Sequence, residues 1–179
     1  DFRSPGTGLW SQSNPFEFAS IWGFHEKPQR FYDWIRPLTH KIVAAKPNPA
    51  HYALAELERM GKLSCLITQN IDHLHQRVGS TYVLELHGHL RTLSWLRCRF
   101  QDAAETYLHC FINAGDLPIC PHCGFVLKPD VVLFGEPLPE DILLAAQEEA
   151  LRCDLMLVVG SSLEVMPAAD LPPLAVRRG

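Results

Sequence analysis

The chain has 179 residues, 47% of them apolar and 20% charged, which suits one folded domain with a sizeable core. A net charge of −4 and a pI near 6.1 leave no basic field to hold a phosphate backbone, which argues against direct nucleic-acid binding. No apolar run approaches the roughly 18 residues of a membrane span, so no membrane partner is expected.

The chain opens on Asp1-Phe2-Arg3 rather than a methionine and stops at Arg178-Gly179, so it reads as a piece of a longer protein. Residues 10–46 carry eight aromatics and look helical, with interruptions expected at Pro28 and Pro37. Asn48-Pro49 supplies a cap and a first-turn proline, and Gly61 a stop, so a helix is predicted between them. "LSCLIT" (63–68) and "TYVLEL" (81–86) are short apolar runs of the kind that form strands buried on both faces of a parallel sheet. Residues 90–128 show little periodicity but hold Cys98, Cys110, Cys120 and Cys123. "VVLF" (131–134) and "LMLVVG" (155–160) predict two more strands of the sheet. The segment 139–152 between them, acidic at its start and ending in Arg152, predicts the strongest helix. Alternating strands and helices indicate a doubly wound α/β core, with 10–46 and 90–128 forming a smaller inserted module.

In open α/β sheets, ligands bind beyond the carboxyl ends of the strands. All four predicted strands end in polar or glycine-rich groups: Gln69-Asn70-Ile71-Asp72, His87-Gly88, Gly135-Glu136 and Gly160-Ser161-Ser162. Asn and Asp suit amide and hydroxyl recognition, and Gly-Ser-Ser offers amide and hydroxyl donors for ribose or phosphate. His87 is a candidate general base, or else only a cap on its strand. No nucleophile elbow, HExxH or P-loop is present, so a serine hydrolase is poorly supported. The clustered cysteines, with Cys120-x-x-Cys123 on a Pro/Gly turn, favour metal over disulfides.

Taken together, "DFRSPGTGLW" (1–10), "TQNID" (68–72), "ELHG" (85–88), "CPHCG" (120–124), "LKPDVVLFGEPLP" (127–139) and "GSSLEVMPAADLP" (160–172) resemble the sirtuin family of NAD-dependent protein deacylases. The resemblance covers nearly the whole chain. It implies a partial catalytic domain spanning 1–179, with a Rossmann-like parallel sheet and a small zinc-ribbon plus helical module. It also implies an acyl-lysine peptide as substrate, NAD as cosubstrate, and transfer of the acyl group to ADP-ribose with release of nicotinamide. A cytoplasmic enzyme is expected. The alternatives are an NAD- or ADP-ribose-binding module without turnover and a zinc-ribbon adaptor.

Carried over by residue, the resemblance implies His87 as catalytic base, with Asn70 and Asp72 ordering ribose and nicotinamide beside Gln69 and Ile71. Asp1, Phe2 and Arg3 match the loop that covers the cofactor, and Gly160, Ser161 and Ser162 the ribose- and phosphate-binding turn. Val132, Phe134, Gly135 and Glu136 match the strand that pairs with substrate backbone, and Val165 the opposing segment. Members that prefer acidic acyl chains carry Tyr-x-x-Arg, where this chain has Tyr32 and Ile35 with Arg36 one place late, so neutral acyl groups are expected.

Two departures stand out. The family's first zinc pair falls eight and eleven residues after the HG histidine. Here those positions are Trp95 and Cys98, so the resemblance implies Cys98, Cys120 and Cys123 as ligands of a three-thiolate structural Zn2+ site, with Cys110 and His109 as the nearest candidates for a fourth ligand and His122, inside the turn, less favoured. The family's pyrophosphate turn falls before Asp1 and its later strands beyond Gly179. The 179-residue chain is therefore expected to bind NAD poorly and to be marginally stable.

Overall fold

A computed structural model describes residues 18–95 and 97–177. The chain divides into two compact units, one taking in the chain through Ala44 together with Leu90–Pro137, the other Ala45–His89 with Leu138 onward.

The first unit begins with α1 (Ile21–Glu26) and α2 (Pro28–Ala44). Ser20 caps α1 by accepting from the Gly23 amide at 3.1 Å. Pro28 opens α2, where its missing N–H costs nothing. The interruption expected at Pro37 does not occur: α2 runs through it to Ala44. Its apolar face explains why, since Phe31, Tyr32, Ile35, Leu38 and Thr39 recur at helical spacing and are buried, and packing outweighs one lost backbone bond. Phe24 of α1 meets Phe31 edge-on at 5.3 Å. Burying each such ring contributes about 1.5–3 kcal/mol.

Residues 90–128 are more regular than the sequence suggested. β3 (Gly88–Trp95) pairs antiparallel with β4 (Phe100–Ala103), placing Thr92 opposite Ala103 and Trp95 opposite Phe100. α5 (Glu105–Ala114) follows and closes on Gly115, whose φ of 79° lets its amide reach the Cys110 and Phe111 carbonyls. β5 (Lys128–Val131) completes a three-stranded sheet in the order β4-β3-β5. The strand predicted at 131–134 thus lies three residues early, and in the three-stranded sheet of the first unit rather than in the parallel sheet. Asp130 holds the three strands together, its carboxylate accepting from Thr92 and Ser94 of β3 and Gln101 of β4. Such side-chain ladders carry no short-range sequence signature.

In the second unit Asn48 caps α3 (Pro49–Arg59) through a reciprocal box, accepting from the Ala50 and His51 amides while His51 Nδ1 accepts from the Asn48 amide. β1 (Leu66–Thr68) runs through α4 (Leu74–Arg77) into β2 (Val83–Glu85), a parallel pair in register Leu66–Val83 to Thr68–Glu85. α6 (Glu140–Arg152) lays Ala146 and Ala150 on Leu84 and Leu86, and a 3-10 turn (Ala168–Asp170) with α7 (Leu171–Val176) adds Ala168 and Leu171 to the same core. The strand expected at 155–160 is absent. An apolar run becomes a strand only when a neighbour takes its amides, and no ladder forms there among the described residues. Leu155, Leu157 and Val159 are instead 84%, 70% and 67% exposed. The result is an α/β fold whose described parallel sheet has two strands rather than four.

Candidate functional site

Because β1 and β2 are parallel, their carboxyl ends emerge on the same side, which places Gln69-Asn70-Ile71-Asp72 beside His87. The Asn70 amide donates to Thr68 Oγ1 at 3.1 Å, and Asp72 Oδ1 accepts from the Leu74 amide at 3.0 Å, so both turns are set locally. Gln69 Nε2 donates to Ser161 Oγ at 3.3 Å, joining the β1 end to the Gly160-Ser161-Ser162 turn. Gly160 there has φ +66°, a conformation that side chains rarely adopt. Ser161 Oγ in turn accepts from the Leu163 amide at 3.2 Å, and Ser162 donates to Glu164 at 3.2 Å.

His87 Nδ1 lies 3.1 Å from the Gln69 carbonyl. A carbonyl only accepts, so Nδ1 carries the proton and the neutral ring has its lone pair on Nε2. This is the tautomer that a general base needs, and the residue orienting it belongs to the same strand-end cluster. Five predicted residues, Gln69, Asn70, Asp72, His87 and Ser161, thus converge within the second unit. Val165 lies just past that turn, its carbonyl accepting from the Ala169 amide at 2.9 Å. Asp1, Phe2 and Arg3 lie outside the described residues.

The Val132–Glu136 segment belongs to the first unit. Phe134 donates its amide to the Ala19 carbonyl at 2.8 Å and accepts from the Ile21 amide at 3.0 Å. Its backbone is therefore taken by this chain, and the Glu136 amide likewise donates to the Leu133 carbonyl at 3.0 Å, so a peptide strand would have to pair through Val132, Gly135 and the Glu136 carbonyl. Glu136 is anchored by Lys128 Nζ at 3.0 Å and by the Leu133 amide at 2.8 Å. Gly135, at φ +88°, is obligatory on two counts, because a Cβ there would sit 2.3 Å from the Trp22 ring. Neither Lys128 nor Trp22 was singled out from the sequence. Lys128 is eight residues from its partner with no periodic relation, and Trp22 is one aromatic among many.

Tyr32 and Ile35 are buried, and line an apolar cavity of about 50 Å³ with Leu93, Tyr107 and Phe111. Tyr32 donates to the Leu127 carbonyl at 2.6 Å, and burial pushes its phenol well up. Arg36 is turned to other work: it pairs with Asp33 at 3.2 Å and reaches the Gly115 carbonyl.

The cysteine group is compact. Cys98 Sγ lies 3.6 Å from Cys120 Sγ and 3.4 Å from Cys123 Sγ, and all three sulfurs fall within 4.8 Å of one another. The 120–124 turn is closed by Gly124 at φ +72° and by its amide donating to the Cys120 carbonyl at 2.9 Å. Burial raises the Cys120 thiol, but the His122 and Cys123 amides and the neighbouring thiols bring it below its ordinary value. Three soft donors on an apolar floor of Leu93 and Leu127 fit a thiophilic ion such as Zn2+. Cys110 stays on the exposed side of α5 and outside the group.

A family model described as the Sir2 family matches residues 1–167. The NAD-dependent protein deacylase 2 of Archaeoglobus fulgidus is 51% identical over 173 residues, covering 96% of this chain and 68% of the relative. The NAD-dependent protein deacetylase 1 of Geobacillus kaustophilus is 43% identical over 179 residues, covering all of this chain and 71% of its own length. Among solved structures, that of Sir2Af2 bound to a myristoylated histone peptide superposes with a TM-score of 0.85 at 50% identity, covering 93% of this chain and 70% of that one.

Proposed function

The chain belongs to the Sir2 family, and from that premise we infer that it is an NAD-dependent protein deacylase acting on acyl-lysine peptides, with His87 as its general base. The observation that carries the residue assignment is the hydrogen bond from His87 Nδ1 to the Gln69 carbonyl. It holds the ring in the tautomer that can accept a proton at Nε2. This oriented base within the strand-end cluster favours turnover over the readings of a silent ADP-ribose-binding module or a zinc-ribbon adaptor.

The residues fit NAD: Asn70 and Asp72, with Ile71 between them, offer amide and carboxylate partners at the carboxyl end of a parallel strand, and the Gly160-Ser161-Ser162 turn joined to it adds amides and hydroxyls. When bound, NAD supplies the ribose carbon that receives the acyl oxygen and the nicotinamide that departs. Asn70 and Asp72 orient it, and Gln69 ties the end of β1 to the Gly160-Ser161-Ser162 turn through Ser161. His87 Nε2 takes up the proton released as the acyl group moves on, while Nδ1 stays anchored. Asp1, Phe2 and Arg3, which lie outside the described residues, are assigned to covering the cofactor.

For the peptide, Val132, Gly135 and Glu136 provide the backbone edge, with Phe134 contributing its side chain; Val165 is a further residue assigned to substrate binding. Glu136 is held in place by Lys128 rather than presented to the substrate. Tyr32 and Ile35 belong to an apolar cavity with no cationic lining, and Arg36 is committed to Asp33 and Gly115, which supports neutral acyl groups such as acetyl. Cys98, Cys120 and Cys123 would hold structural zinc. We read residues 10–46 and 90–128 as the smaller module of one catalytic domain; residues 18–44 and 90–128 fall in the same compact unit. Among the described residues no helix is long and apolar enough to cross a membrane. Six free cysteines support a reducing compartment, the cytoplasm.

The decisive assay measures nicotinamide release from NAD with an acetyl-lysine peptide. His87→Ala should lower kcat by at least about 100-fold with the fold intact by circular dichroism. Turnover that survives the substitution would remove His87 from the mechanism. Faster turnover of succinyl-lysine than of acetyl-lysine would overturn the neutral-acyl reading.

A further inference from the structure

Four thiolates make a closed structural zinc site, and a centre with three protein ligands keeps a position open. With Zn–S bonds of about 2.3 Å, sulfurs on a tetrahedron are separated by about 3.8 Å. The observed 3.6 Å and 3.4 Å separations from Cys98 match two edges of such a tetrahedron, the third sulfur pair lies within 4.8 Å, and the fourth vertex is left to be assigned.

Among the described residues no His, Cys, Asp or Glu side chain claims that vertex. By symmetry with Cys120-x-x-Cys123 it falls to the residue three before Cys98, which is Trp95, and an indole N–H donates without ligating. Trp95 is fixed where it is. Its backbone pairs with Phe100, its ring stacks on Phe125 at 5.5 Å and 12°, and His25 packs edge-on against it at 5.8 Å. The His122 ring lies tilted on Phe100 at 4.8 Å, and Cys110 is exposed on α5. Among the described residues no fourth His, Cys, Asp or Glu joins the three sulfurs.

Trp95 Nε1 is a buried donor with no hydrogen-bond partner, and its side chain packs, as do Cys98 and Cys123, against the cluster of Leu93, Cys120 and Leu127. An orphaned buried N–H costs about 1–3 kcal/mol.

We propose that the metal centre of this chain is open: Zn2+ is held by Cys98, Cys120 and Cys123 alone, and its fourth ligand is an exchangeable external donor, water at rest and a small thiol or imidazole when supplied. Replacing the fourth thiolate by a neutral ligand also leaves the centre one negative charge fewer than a four-cysteine site, three thiolates giving −1 with Zn2+ where four give −2.

The test uses Co2+ in place of zinc in the whole 179-residue chain, with absorption rather than turnover as the readout. The wild-type protein should bind one Co2+, and its ligand-field bands should shift saturably on titration with a small monothiol or with imidazole. Trp95→Cys should give thiolate-to-cobalt absorption stronger by about one third, four sulfurs against three, with bands that no longer respond. A chelator should strip zinc at least about tenfold faster from the wild type than from Trp95→Cys. Cys110→Ala should behave as wild type throughout. The proposal is overturned if the wild-type bands ignore both external ligands, if Cys110→Ala loses thiolate absorption, or if the wild type takes up no metal. Should Trp95→Cys fail to fold, the wild-type titration and the Cys110→Ala spectrum decide between open and closed on their own.

Discussion

His75 on α4 is half-buried, its Nδ1 has no hydrogen-bond partner, and its ring centre lies 4.6 Å from that of His51. Burial, and then the neighbouring imidazole, hold its pKa below the ordinary value, against a smaller opposing pull from Asp72. The sign of the effect on stability follows. Between the depressed folded value and the unfolded value near 6.5, the unfolded chain binds the extra proton, so stability rises with pH through that window and falls on acidification. Melting curves at pH 7.5 and 5.5 should show a drop about 1–2 °C smaller in His75→Gln than in the wild type. An equal drop in both proteins would remove His75 from the pH dependence. Gly135 makes a second case at this scale. Gly135→Ala must place a β-carbon at φ +88° and against the Trp22 ring. A loss of about 1–2 kcal/mol is expected, read as a Tm lowered by about 2–8 °C, together with altered indole fluorescence as Trp22 is pushed aside. An unchanged emission spectrum would mean that another tryptophan dominates the signal or that the ring does not move; an unchanged Tm would refute the strain.

Among the elements, α3 shows most clearly how local chemistry suffices. Asn48 accepts from two first-turn amides, His51 returns the bond, Pro49 follows the cap, and Gly61 follows the end at φ +67°. Each of these is a residue type acting on its own neighbours, which is why the helix was legible without any tertiary knowledge. Asn48→Ala should cost about 1 kcal/mol with no change in the denaturant m-value, since the cap is exposed and nothing else depends on it. β5 is the opposite case. The apolar run 131–134 predicted a strand, yet the ladder forms at 128–131, because Asp130 is drawn to Thr92, Ser94 and Gln101. Those partners lie about thirty to forty positions away in the chain, and no local pattern announces them. The same holds for Lys128, which bridges to Glu136 and the Val131 carbonyl.

For the whole molecule, the consequential feature is the exposed stretch Leu155–Val159. A sequence pattern suited to a buried strand lies largely in solvent, with Leu155, Leu157 and Val159 all outward. Apolar side chains beside a backbone that joins no ladder among the described residues favour self-association. Light scattering of the 179-residue chain should grow with concentration, and most strongly near pH 6, where a pI of about 6.1 removes charge repulsion. Leu157→Lys should reduce that scattering at least about twofold without lowering the Tm, because the side chain is 70% exposed and contributes little to the core. Scattering that the substitution leaves untouched would place the association elsewhere.

The chemistry of this protein was carried by its sequence. Gln69, Asn70, Asp72, His87 and the Gly-Ser-Ser turn follow apolar runs, and Cys120-x-x-Cys123 sits on its Pro/Gly turn, so short-range patterning alone pointed to a strand-end ligand site and a metal centre. Turns and caps act between residues a few positions apart, which keeps their signatures readable. Only the tertiary structure decided the tautomer of His87, the engagement of the Phe134 backbone by Ala19 and Ile21, the diversion of Arg36 and the exclusion of Cys110 from the sulfur cluster. Each depends on which distant groups compete for one donor, one acceptor or one volume, and that competition is settled only when the chain has packed.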